Sequence, residues 1–222
     1  MSVNRISRYG LVNVYLVEEE DGLTVIDTAL PRSTKPILAA AAQFDGKPIT
    51  TILLTHAHGD HVGSLDELHT ALPEAAVVIS ERDSRLLAKD KSLDPGEPQF
   101  KLRGSYPGAE TKPTRTIVPG ERVGSLEVIA SPGHTPGHVA FLDPRDRTLY
   151  SGDAYSTLGG VATSARMNPR FPLPGFATWH RPTELESAKA LRALEPARLA
   201  PGHGKVVESP GAAMDAAIKR AS

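Results

Sequence analysis

Thr55-His56-Ala57-His58-Gly59-Asp60-His61 places four groups able to bind a metal within six residues. Neutral imidazoles and a carboxylate suit zinc, manganese or iron, and the absence of cysteine removes every thiolate site. Cations held by such groups acidify water and polarise carbonyls, which is the chemistry of hydrolysis. In extended chain the side-chain period is two, so His56 and His58 project from one side, and Gly59 lets Asp60 and His61 turn back towards them. The preceding Ile49-Thr50-Thr51-Ile52-Leu53-Leu54 is short, aliphatic and β-branched, which predicts a buried strand ending at the first histidine.

The elements that must position this stretch follow from pattern. Leu11–Val17 and Leu23–Asp27 are apolar runs separated by an acidic turn ending in Gly22, a hairpin. Asp27 ends the second strand, where it either supports the metal loop or serves a turn or helix cap. Ile37, Leu38 and Ala41 predict a short helix, and Val62, Leu65, Leu68 and Leu72 a helix beginning at the motif. Ala76–Ser80 is a further strand and Glu81–Lys89 a charged helix. Residues 91–113, rich in Pro, Gly and charge, read as a long loop over the site or an insertion. Further strands lie at Ile117–Val118, Leu126–Ala130, Val139–Leu142, Thr148–Ser151 and Arg198–Ala200. Helices follow at Pro182–Leu194 and Ala212–Ala221. Two β-rich halves with flanking helices predict two sheets packed face to face with helices outside.

With 222 residues, 40% of them hydrophobic, the chain fits one domain, 1–222. A net charge of −1, from 25 basic and 26 acidic residues, argues against a nucleic-acid partner. No signal-type segment or membrane-length apolar run is present, which predicts a cytoplasmic protein with no membrane partner. A small-molecule substrate is expected, and a homodimer is compatible with the sequence.

Three further stretches place candidate ligands after apolar runs: Ser131-Pro132-Gly133-His134-Thr135-Pro136-Gly137-His138, Ser151-Gly152-Asp153, and Ala200-Pro201-Gly202-His203-Gly204. Together with the first stretch they resemble, in order and spacing, the metallo-β-lactamase superfamily from the first hairpin to His203. The resemblance implies a four-layer αβ/βα sandwich with the site at one edge of two sheets. It implies that His56, His58 and His134 hold one metal, that Asp60, His61 and His203 hold a second, and that Asp153 bridges them. Two divalent ions follow, with zinc expected and iron or manganese as alternatives.

Such ions, about 3.5–4 Å apart, would share a water acidified to pKa ~7. Asp60 is then the expected proton carrier to the leaving group, and Tyr155 the expected donor to the oxyanion. The segment from Gly159 to His180 resembles an insertion in small bacterial members, which makes its Phe171, Phe176 and Trp179, together with Tyr155, the expected substrate contacts. His180 is expected to be structural, and His138 either supports the ligands or bonds its own loop. A bridging aspartate points away from β-lactams and towards ester hydrolysis, with a lactone or other carboxylic ester ahead of a thioester. The alternatives are an iron-dependent sulfur dioxygenase, a β-lactam hydrolase and, outside enzymes, a metal-stabilised binding protein.

Overall fold

The computed structural model describes residues 3–222. Its first half contains β1 (Asn4–Arg8), β2 (Val12–Glu18), β3 (Leu23–Ile26), α1 (Thr34–Ala41), β4 (Ile49–Leu53), α2 (Gly59–Val62), α3 (Leu65–Ala71), β5 (Ala76–Ser80), α4 (Glu81–Leu87) and β6 (Arg115–Ile117). The second contains β7 (Arg122–Val123), β8 (Leu126–Ala130), β9 (Val139–Asp143), β10 (Thr148–Ser156), β11 (Ala162–Thr163), α5 (Leu173–Ala177), α6 (Arg181–Ala193), β12 (Arg198–His203), β13 (Val207–Glu208) and α7 (Gly211–Ala221). One sheet has the order β1-β2-β3-β4-β5-β6, the other β13-β12-β10-β9-β8-β7, with β11 paired to β10.

The layers follow from strict alternation along the central strands. On β2, Val14 and Leu16 face the helices while Tyr15 and Val17 face the other sheet, and on β5 Val77 and Ile79 oppose Val78 in the same way. In the second sheet Val139 and Phe141 of β9 point inward, whereas Ala140 and Leu142 point out to α6 and α7. The result is three apolar layers between four layers of structure, helix, sheet, sheet, helix, as expected from two-faced strands that must bury both faces. Among the described residues no helix is long and apolar enough to cross a membrane.

β7, β11, β13 and α5 are short elements beyond those expected, and two further differences bear on the frame of the site. β1, whose Asn-Arg-Ile-Ser-Arg sequence carries little apolar signal, extends the first hairpin by antiparallel pairing with β2. The helix expected through the motif is split into α2 and α3, because Gly63 turns its N–H to Ala29 O at 2.8 Å and Ser64 donates to Leu30 O at 2.7 Å.

Candidate metal centre

The seven side chains singled out by the sequence converge at one edge of the two sheets, beyond the carboxyl ends of β4 and β8, at the last residue of β12 and within the end of β10. Three clusters have ligand atoms within 4.8 Å of one another: His56, His58 and His134; His56, His61 and Asp153; Asp60, His61 and His203. Asp153 joins them. Its Oδ1 lies 3.2 Å from His61 Nε2, and its Oδ2 lies 3.3 Å from His134 Nε2 and 3.2 Å from His203 Nε2.

The outward nitrogens fix which inward nitrogen is bare. His56 Nδ1 lies 3.0 Å from Thr55 Oγ1, which donates its own proton to Asp27 Oδ2 at 2.8 Å. That hydroxyl therefore accepts from Nδ1, leaving His56 Nε2 as a lone pair. His58 Nε2 donates to Arg103 O at 2.9 Å, His203 Nδ1 to Leu11 O at 2.8 Å, and His61 Nδ1 to Asp27 Oδ2 at 2.8 Å. His134 Nδ1 donates to Thr178 Oγ1 at 3.0 Å, whose proton goes to Pro174 O or Ser164 O. Five imidazole nitrogens and two carboxylates consequently face one place, with the His61 and His203 Nε2 atoms set against Asp153. The His56, His58 and His134 nitrogens approach to 3.0 and 3.1 Å with no proton between them. His61 Nε2 and Asp153 Oδ1 are buried without a hydrogen bond. Crowded lone pairs repel one another and buried acceptors cost energy when unpaired, so the donor set fits cations, as nitrogen and oxygen ligands oriented by outer partners should.

Charge follows the same division. Burial, then the neighbouring imidazoles, holds His56 and His58 well below the ordinary histidine value. Burial would also lower His61, but the Asp153, Asp27 and Asp60 carboxylates outweigh it and hold the ring well above that value. Asp153, despite a burial that favours its neutral form, is held well below the carboxylate range by His203 and His61. His138 is pushed down to about 3 by burial and by His134, and its Nε2 accepts from the Asp153 N–H at 3.1 Å.

A pH dependence follows for chelator-stripped protein. His56, His58 and His138 stay neutral in the fold but take a proton in the unfolded chain below about pH 6.5. Stability is therefore lost as pH falls from 6.5 towards 3. His61 and His203, held above their ordinary value, contribute fully below pH 6.5 and lose that contribution only as pH rises through their folded values. The urea midpoint of stripped protein should be lower at pH 5 than at pH 6.5, and an unchanged midpoint would contradict this charge assignment.

Tyr155 is not at the centre, contrary to expectation. The register of β10 against β12 shifts between Tyr150 and Gly152 and again between Gly152 and Ser156, which breaks the two-residue alternation. Asp153 thereby faces the metal ligands, while Ala154 and Tyr155 both enter the outer apolar layer. Tyr155 is fully buried and its hydroxyl donates to Ala188 O at 2.7 Å. Tyr155→Phe should leave turnover within about twofold and cost about 1 kcal/mol of stability, compared by steady-state kinetics and urea unfolding.

The other expected contacts divide. Phe171 is buried, its ring centroid 5.2 Å from that of His203. Trp179 is buried, its N–H donates to His134 O at 3.0 Å, and its indole donates to Phe100 O at 2.9 Å, so it braces the site from behind. Phe176 is 62% exposed on α5. His180 caps α6, accepting from the Thr183 N–H at 3.4 Å, which is a structural role.

The stretch 91–113 lies directly against His58. Besides Arg103 O on its Nε2, Ser105 O accepts from Gly59 N at 2.9 Å and the Tyr106 ring centroid sits 4.6 Å from the imidazole. At Gly104, φ is +86° and a Cβ would stand 2.4 Å from His58 Nε2. Gly104→Ala should displace that imidazole and weaken metal binding about 10- to 100-fold, as read by competition with a chromophoric chelator.

Asp83 is the residue that sequence reasoning missed. It is fully buried at the start of α4, where Oδ2 accepts from Ala57 N at 2.9 Å and Thr135 Oγ1 at 2.7 Å, and Oδ1 accepts from Gly137 N at 2.8 Å. One carboxylate thus ties the first ligand loop to that of His134. Its only sequence signal, Ser80 three residues ahead, equally describes a helix cap, which it also is, since Ser80 Oγ accepts from Asp83 N at 3.1 Å.

The family model described as "Metallo-beta-lactamase superfamily" matches residues 8–203. The chain is 51% identical over 211 residues to "Uncharacterized protein YobT" of Bacillus subtilis (strain 168), covering 95% of this chain and 90% of that protein. It is 31% identical over 150 residues to the hydroxyacylglutathione hydrolase of Xanthomonas axonopodis pv. citri (strain 306), covering 66% of this chain and 47% of the relative, so it spans about half of that enzyme's length. Among solved structures, TTHA1623 in a di-iron-bound form is 29% identical with a TM-score of 0.66, covering 95% of this chain and 96% of that one.

Proposed function

Because the chain belongs to the metallo-β-lactamase superfamily, we propose that it is a dinuclear metal-dependent hydrolase of a small carboxylic ester or thioester. The observation that carries this reading is the convergence of five imidazole nitrogens and two carboxylates, joined through Asp153. His56, His58 and His134 would hold one divalent ion, Asp60, His61 and His203 the other, and Asp153 would contact both. Zinc remains the expected metal, and similarity to a di-iron-bound structure makes iron the first alternative. Ions bound there supply an acidified water and a Lewis acid for the scissile carbonyl.

The chain's own residues do the rest. Asp27 and Thr55 fix the ring orientation of His61 and His56, so that ligand nitrogens need not reorganise during turnover. Asp60 carries the proton: its side chain is 37% exposed, open to the solvent side, with Oδ2 3.5 Å from His203 Nε2. A carboxylate so placed can accept a proton from the attacking water and return it to the departing alkoxide or thiolate. Phe171 walls the His203 side and keeps water from that flank.

Between the two ester classes, the burial of Tyr155 leaves no phenol at the centre to serve as the expected oxyanion donor. The similarity to a hydroxyacylglutathione hydrolase favours a thioester. The test is acid release in a pH-stat from a simple lactone and a simple thioester, using metal-loaded protein and the same protein stripped by chelator. Metal-dependent hydrolysis, faster on the thioester, is expected. Silence on both with the metals shown to be bound would overturn the hydrolase, and oxygen consumption in its place would identify the oxygenase.

A further inference from the structure

A second concentration of chemistry lies away from the metal centre, between the 159–170 stretch and α7. A cavity of about 700 Å³ opens there, lined by Arg166, Arg170 and Arg220 among the small residues Gly159, Gly160 and Ala216. No aspartate or glutamate lines it. The chain as a whole carries a net charge of −1, so three guanidiniums around one acid-free hollow are not the overflow of a basic protein.

Two of these guanidiniums are held in place by neutral carbonyls. Arg166 Nη1 donates to Arg220 O, and Arg220 Nη2 donates to Val161 O at 2.6 Å. Carbonyls orient the groups without cancelling their charge, and the three exposed guanidiniums, with five N–H donors each, keep donors facing solvent that a ligand could engage. Guanidinium geometry matches phosphate oxygens two at a time. A volume within the roughly 300–1,000 Å³ of small-molecule sites exceeds what a single inorganic ion fills. The glycines and alanine leave room beside the charges for an uncharged moiety.

We propose that this cavity is a binding site for a nucleoside diphosphate or a ligand of that chemistry, its phosphates held by Arg166, Arg170 and Arg220. The site is independent of the hydrolytic reading, although the same segment reaches the metal centre at both ends. Thr157 N donates to His203 O at 2.9 Å, and the Phe171 ring lies tilted beside that of His203.

The experiment is a calorimetric titration of ADP into the metal-loaded full chain, with Arg166→Gln/Arg170→Gln, Arg220→Gln and, as control, Arg115→Gln, an exposed arginine paired with Glu121 elsewhere. Saturable binding should weaken at least roughly tenfold in either cavity variant, as the loss of charge-assisted hydrogen bonds requires, and stay unchanged in the control. It should also weaken as salt rises, and adenosine should not bind. Arg220→Gln gives the same reading if the double variant does not fold. Equal affinity across all variants would place ADP at the metals and overturn the proposal, as would no binding at millimolar ADP. Equal affinity of pyrophosphate and ADP would reduce the ligand to a bare anion and overturn the nucleotide assignment.

Discussion

Asp153→Ala is expected to lower turnover by roughly a hundredfold or more and, on the proposed dinuclear reading, to reduce bound metal from two ions per chain to one. Both carboxylate oxygens are committed: Oδ1 faces His61 Nε2, and Oδ2 faces His134 Nε2 and His203 Nε2. Removing them deletes the one group common to both proposed ligand sets and takes away the negative charge that would offset cations in a buried place. The imidazoles cannot move in to compensate, since each is fastened at its outer nitrogen. Crowding argues the same, because a Cβ on Gly202 would lie 2.4 Å from Asp153 Oδ1 and 2.7 Å from His61 Cε1. Metal counting by mass spectrometry beside the pH-stat rate checks the prediction. Full metal content with full activity would remove Asp153 from the centre.

Asp83→Ala is expected to be the most destabilising single change near the site although it touches no proposed ligand side chain. Three donors, Ala57 N, Thr135 Oγ1 and Gly137 N, would be left buried and unpaired. At about 1–3 kcal/mol for each orphaned donor, partly relieved by relaxation, the loss is roughly 3–5 kcal/mol. For a chain of this size that lowers Tm by about 10 °C. Burial raises the Asp83 carboxyl above its ordinary value, and the three hydrogen bonds work against that rise. Asp83→Asn keeps acceptor oxygen on one side only and should fall between the two. Thermal unfolding of all three proteins, with and without metal, is the measurement. A loss under 1 kcal/mol in the alanine variant would mean the loops are held by other contacts.

What the sequence disclosed depended on whether a residue's role coincided with a local pattern. His56, His58, His134 and His203 were legible because each follows an apolar run and stands in a glycine-rich turn, where a strand end and a crowded approach leave their mark. The four layers were legible because β2, β5 and β9 alternate in ways that demand burial on both faces. Tyr155 was misplaced because period-two reasoning fails where β10 shifts register twice around Gly152, and no local pattern announced those shifts. Asp83 stayed hidden because its partners lie in two other loops, and a serine three residues before an aspartate is adequately explained by capping. β1 escaped notice because an edge strand facing solvent needs little apolar content. The outer partners of the histidines include backbone carbonyls, those of Leu11 and Arg103, which have no side-chain signature at all.

The centre draws ligands from both sheets, His56, His58, Asp60 and His61 from the first half of the chain and His134, Asp153 and His203 from the second. A metal ion binding there therefore acts as an inspector of assembly. It finds its full donor set only in chains whose halves have docked in correct register, and by mass action it withdraws those chains from the unfolding equilibrium. Scarcity of metal would then act less on turnover per molecule than on how many molecules survive proteolysis, so that protein abundance itself would report the metal supply.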